Sequence, residues 1–308
     1  MPVDPAVQAL LDLIPEDAPP LSSLEPDVVR AGLAAMGEQQ GTPEEVASVE
    51  DRSAPGPAGD IPVRIYKVSS DAGQPALVYF HGGGWLVCDL ETHDSVCRAL
   101  ANAANCTLVS VDYRLAPEHK YPAASDDCYA TTQWVADNAA DLGIDPARIA
   151  VGGDSAGGHL TAVVTQMARD QGGPALIAQV LHCPVTNLDY STSSYRDNAE
   201  GYGLGLDTME WFWNHYVSDA SQASEIGVSP LRGDLANLPP ALVQTAEFDP
   251  LRDEGAQYAE KLQAAGVSVT YTNYDGLNHD TFLSFGLVPK GRDNLDEAAS
   301  FLRAAFGS

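Results

Sequence analysis

Apolar residues in this chain fall into short runs, and the stretches between them carry apolar positions three and four apart. Ala76-Leu77-Val78-Tyr79-Phe80, Arg148-Ile149-Ala150-Val151-Gly152, Leu176–Cys183 and Pro240–Ala246 read as strands buried on both faces. Val267-Ser268-Val269-Thr270-Tyr271 is a further strand candidate, followed by a loop over Tyr274–Asn278, and two more strands are expected near 46–52 and 61–68. After the Arg148–Gly152 run, Leu160, Val163, Val164 and Met167 keep helical spacing. Strands that alternate with helices predict an α/β fold, with a mostly parallel central sheet flanked by helices.

Two regions depart from that alternation. Residues 1–45 predict two helices: Val7, Leu10, Leu11 and Ile14 mark the first, with Asp4 as N-cap and Pro5 at N1, and Val29, Leu33 and Met36 mark the second. Residues 46–308 then form one α/β domain, interrupted at about 187–235 by a polar and aromatic stretch that holds Tyr202, Trp211, Phe212, Trp213 and Tyr216.

Composition narrows the function classes. The chain has 308 residues, 44% of them hydrophobic, enough to bury a substantial core as one domain. It has no apolar span of 18 residues, so membrane insertion is not expected. Sixteen basic against 43 acidic residues give a net charge of −27, and the only lysines are 67, 120, 261 and 290. That balance argues against nucleic acid or anionic membrane partners; it fits a saline habitat or ordinary bacterial acidity equally well. The first basic residue is Arg30, so a secretory n-region is missing. Five cysteines (88, 97, 106, 128, 183), odd in number and without C-x-x-C spacing, read as free thiols in a reducing, cytoplasmic compartment and not as a zinc site.

The chemistry begins at Gly153-Asp154-Ser155-Ala156-Gly157. This G-x-S-x-G lies between a strand and a helix, the context of a nucleophile elbow, with small residues flanking a serine on a sharp strained turn. Upstream, His81-Gly82-Gly83-Gly84-Trp85 follows the Ala76–Phe80 strand. Glycines let backbone N–H groups approach an oxyanion, and the residue after the nucleophile, Ala156, supplies another donor. A phosphate loop is excluded, since neither G-x-G-x-x-G nor a P-loop Lys-Ser/Thr is present here.

In such folds the order is serine, acid, histidine. Of the seven histidines, only His279 lies C-terminal to the last plausible acid. Asp249 stands at the carboxyl end of the Pro240–Ala246 strand; Glu247 is its nearest competitor, and Asp189 is the other option by topology. An unperturbed histidine titrates near ~6.5, so activity is expected at neutral to alkaline pH.

Five segments carry a resemblance: His81–Trp85, the run Asp112-Tyr113-Arg114-Leu115-Ala116-Pro117-Glu118-His119-Lys120-Tyr121-Pro122-Ala123-Ala124, Gly153–Gly158, Glu247–Gly255 and Gly276–His279. Over nearly its whole length the chain resembles the bacterial hormone-sensitive-lipase family of carboxylesterases, within the α/β-hydrolase superfamily. The resemblance implies a triad of Ser155, Asp249 and His279, and oxyanion donors at Gly83, Gly84 and Ala156. It also implies a cap made of the N-terminal helices and the 187–235 insertion. Trp85, Cys88, Trp211 and Phe282 become candidates for the substrate pocket. Two positions depart from the family: Cys88 replaces the last glycine of HGGGxxxG, and Asp280-Thr281-Phe282 follows His279 in place of Gly-Phe.

The expected activity is hydrolysis of small, neutral, short- to medium-acyl esters by a monomer or homodimer, with no cofactor and no metal. Amide, carbamate or lactone hydrolysis on the same fold stays open. A non-catalytic binder, as in the plant gibberellin receptors that resemble this family, is opposed by the presence of all three triad residues.

Overall fold

The computed structural model describes residues 2–15, 17–33 and 40–307. Asp4 caps α1 (Pro5–Leu11), its carboxylate accepting from the Ala6 N–H at 2.9 Å. The helix is shorter than its apolar pattern suggests, because Pro15 disfavours a helical residue before it; Ile14 lies past the end, 55% exposed. Helix α2 is described over Pro26–Leu33, and Met36 lies outside the described residues.

From there the chain runs β1 (Ser48–Gly56), β2 (Gly59–Lys67), β3 (Gln74–Phe80), α3 (Asp94–Ala104), β4 (Thr107–Val111), α4 (Ala123–Asp137), α5 (Ala139–Leu142) and β5 (Ile144–Asp154). It continues α6 (Ala156–Gln171), β6 (Ala178–His182), α7 (Ser193–Asp197), α8 (Leu206–Tyr216), β7 (Ala241–Phe248), α9 (Arg252–Ala264), β8 (Val269–Asn278) and α10 (Pro289–Phe306). The eight strands form one sheet in the order β1-β2-β4-β3-β5-β6-β7-β8. Only β2 runs against its neighbours.

Period-two alternation divides the core. Leu77 and Tyr79 of β3 face α3 and α10, whereas Val78 and Phe80 face α4 and α6. Each such side chain contributes ~1.5–3 kcal/mol by leaving water. Among the described residues, no helix is long and apolar enough to cross a membrane.

The segment expected as a loop, Tyr274–Asn278, is instead the end of β8. Asp275-Gly276 has turn composition, but β7 offers ladder partners as far as Ala246↔Tyr274 and Phe248↔Asn278. Gly276 absorbs the register shift at φ 81° and donates its N–H to Glu247 Oε2 at 2.7 Å. The interruption after β6 holds α7 and α8. Ser22 of the N-terminal segment reaches it, donating to Asp207 Oδ2 at 2.8 Å.

Candidate active site

Ser155 is the single residue between β5 and α6, with φ 55° and ψ −117°. An L-residue adopts positive φ only where its surroundings enforce it. Three backbone bonds do so here: the Ser155 N–H donates to the His182 carbonyl at 2.8 Å, and the Ser155 carbonyl accepts from the His159 N–H at 3.0 Å and the Val185 N–H at 3.3 Å. The turn also brings α6 against β3, and a Cβ at Gly157 would run into the Phe80 carbonyl oxygen. That contact is the physical reason for glycine there.

β7 ends at Phe248 and delivers Asp249; β8 ends at Asn278 and delivers His279. His279 Nε2 lies 3.0 Å from Ser155 Oγ, and its Nδ1 lies 2.8 Å from Asp249 Oδ2. The other Asp249 oxygen accepts the Leu251 N–H at 2.9 Å, so a fully buried carboxylate is held at both ends. The competing acids are engaged elsewhere, Glu247 with the Gly276 N–H and Asp189 with the Ser191 N–H at 2.9 Å.

Buried histidines divide sharply here. Burial pushes His81 to about 4, His159 to about 3 and His182 to about 4, since each would carry an uncompensated charge. Burial opposes charge on His279 as well, but the Asp249 carboxylate outweighs it and, with Asp280 and Asp154 adding, lifts the imidazole to about 9.

A cavity of about 1210 Å³ opens over these atoms. Gly83, at φ 103°, and Gly84, at φ 58°, line it beside Ser155, and Ala156 opens α6, where N–H groups lack intrahelical partners. Cys88 and Phe282 are in the lining, and Phe282 stacks on His182 with centroids 4.2 Å apart. Trp85 and Trp211 are not. Trp85 is fully buried, stacked on Tyr216 at 4.2 Å with its Nε1–H aimed at His159 Nδ1, 3.2 Å away. Trp211 packs on Phe212 and His215. From the aromatic cluster of α8, it is Phe212 that reaches the cavity, where it covers Gly84.

One network was not anticipated from the sequence. The Asp154 carboxylate, beside Ser155 in the chain, accepts from the Tyr79 hydroxyl at 2.6 Å and the Gly82 N–H at 3.2 Å, with His93 Nε2 at 3.4 Å. Burial raises such a carboxyl, but the His93 ring and the Tyr79 hydroxyl overcome it and hold Asp154 at about 2. This carboxylate ties the glycine loop to the serine turn. Its place inside the pentapeptide was visible; its partners, 61 and 75 residues away, were not.

Among the described residues, ligand atoms of Cys183, Asp249 and His279 converge within 4.8 Å. Burial pushes the Cys183 thiol well above its ordinary range, and the other two already bond to each other. The cluster is satisfied without a metal.

The profile of the alpha/beta hydrolase fold family matches residues 77–283, which include Gly83, Ser155, Asp249 and His279. The chain belongs to the alpha/beta hydrolase fold family. Within this family it is 46% identical over 297 residues to a carboxylesterase, NlhH, of Mycobacterium tuberculosis, covering 93% of this chain and 90% of the relative. It is 40% identical over 239 residues to an ethyl acetate hydrolase of Pseudomonas putida, covering 76% and 74% of the two chains. Among solved alpha/beta hydrolase structures, a hyperthermophilic esterase from the archaeon Pyrobaculum calidifontis superposes with a TM-score of 0.95 at 40% identity, over 99% of each chain.

Proposed function

We propose that this carboxylic ester hydrolase cleaves esters with short to medium, uncharged acyl chains through an acyl-enzyme on Ser155. The observation that carries this reading is the unbroken hydrogen-bonded line from Ser155 Oγ through His279 to Asp249. His279 Nε2 takes the serine proton as Oγ attacks the ester carbonyl. Asp249 fixes the imidazole with its proton on Nδ1 and stabilises the imidazolium. Charge that develops on the carbonyl oxygen rests on the N–H groups of Gly83, Gly84 and Ala156. His279 then protonates the leaving alcohol, and water, activated by the same imidazole, releases the acid.

The N-terminal segment and residues 187–235 act as a cap over this centre in the same proposal. Leu10, Leu13, Ile14 and Leu33 give the cavity an apolar wall suited to an acyl chain, and a relative that hydrolyses ethyl acetate supports the short end of the range. Five buried free thiols support a reducing, cytoplasmic setting.

A panel of p-nitrophenyl esters from acetate to palmitate tests the reading. Activity that peaks among the short chains and disappears in Ser155→Ala is expected. A folded protein inactive on every ester but active on anilides or lactones would reassign the reaction.

A further inference from the structure

Asp280 stands in the reaction cavity without an assigned task. It follows His279 directly, at the start of the 3-10 turn His279–Ser284, and its side chain is open to the cavity opposite Gly203. Among the described residues, no hydrogen bond or ion pair engages its carboxylate. The neighbouring His279 imidazole is already paired with Asp249 at 2.8 Å, so the Asp280 charge is surplus there.

The rest of the lining supplies no counter-charge. Asp154, Glu200, Asp207 and Glu210 also line the cavity, and its described lining residues include no lysine or arginine. Asp207 is occupied by the Ser22 hydroxyl and the Thr208 N–H. The apolar wall of Leu10, Leu13, Ile14 and Leu33 comes from the N-terminal segment instead. One cavity therefore presents two unlike surfaces.

Direction follows from the chemistry. His279 must reach the oxygen of the leaving alcohol, so the alcohol lies on the His279 side, next to Asp280. We propose that Asp280 is a specificity-determining residue that receives a cation carried by the alcohol, and that preferred substrates are esters of amino alcohols, with an ammonium or quaternary ammonium group a few bonds from the ester oxygen. This rests on the hydrolase reading above and adds to it the class of alcohol.

The test compares acetylcholine with 3,3-dimethylbutyl acetate, its uncharged isostere, as a ratio of kcat/KM at one pH and low salt. Taken within one enzyme, the ratio cancels the ionisation of His279. The wild type is expected to favour the cation by about tenfold, equal to about 1.4 kcal/mol. Asp280→Asn and Asp280→Gly should each bring the ratio close to one, and Asp60→Asn, on the exposed β1–β2 hairpin, should leave it in place. A wild-type ratio at or below one overturns the proposal, as does a ratio that survives both Asp280 changes. An equal fall in Asp60→Asn would also overturn it, by tracing the preference to the charge of the whole molecule. If p-nitrophenyl acetate is cleaved and the ratio fails, the hydrolase reading stands alone; if no ester is cleaved, both fall.

Discussion

The floor of the cavity and its outer wall are built differently. Gly83, Ser155, Asp249 and His279 each follow the carboxyl end of a strand in one eight-stranded sheet. Their backbones are fixed by ladder bonds, by cores packed on both faces and by contacts as close as Gly157 against Phe80. The outer wall includes Leu10, Leu13, Ile14 and Leu21 on one side and Gly201, Gly203, Leu204 and Phe212 on the other. It includes Leu13 at 74% and Ile14 at 55% exposure, and two glycines, 201 and 203, near φ 90°. The proposed reaction geometry thus sits on a tightly constrained part of the molecule, and the proposed substrate wall on a more exposed one.

Substitutions on the floor should damage rate, and the largest effect is at the proposed nucleophile. Ser155→Ala is expected to lose on the order of 10⁶-fold in kcat with its circular dichroism unchanged; a tenth of the activity remaining would remove Ser155 from the mechanism. Asp249→Asn is expected to slow the enzyme ~10⁴-fold by favouring the wrong imidazole tautomer. Were Asp189→Asn crippled instead, the acid would come from the segment after β6.

The pH profile sharpens the contrast within the floor. His279 must be neutral to accept a proton, and its carboxylate neighbours hold it charged up to about 9. The acid limb of kcat/KM should therefore lie well above the ~6.5 of a free histidine, and activity should still climb between neutral pH and that value. Removing a negative charge at Asp280→Asn should move the limb down. A limb at the free-histidine value in the wild type would mean that water in the cavity screens Asp249.

Smaller effects separate packing from selection. Gly157→Ala forces a methyl group onto the Phe80 carbonyl and should cost ~1–3 kcal/mol in denaturant unfolding. On the outer wall, Ile14→Ser should change stability by no more than ~0.5 kcal/mol, while shifting preference among acyl lengths by a few-fold. If Ile14→Ser unfolds the protein and Gly157→Ala does not, the division of labour drawn above is reversed.

What was legible in the sequence follows the same division. The serine turn, the glycine loop and the Asp249 and His279 segments are contiguous signals whose residue types are dictated by local backbone geometry. The wall is a matter of long-range packing. Trp85 was a candidate for the substrate pocket, yet Tyr216, distant in the chain, covers its face. The Asp154 carboxylate was visible, but nothing local marks Tyr79 and His93 as its partners. The end of β8 was hidden for a different reason: Asp275-Gly276 has the composition of a turn, and only the ladder from β7 overrides it.

The spacing of the site along the chain sets a timetable. Ser155 and His279 are 124 positions apart, and the histidine rides on β8, which pairs with β7 alone at the margin of the sheet. In the proposed mechanism, a nascent polypeptide leaving the ribosome carries its elbow serine long before His279 can join it. On that reading, hydrolytic competence arrives with β8. Should that strand peel away in the mature protein, the same chemistry is switched off while the rest of the sheet is still standing.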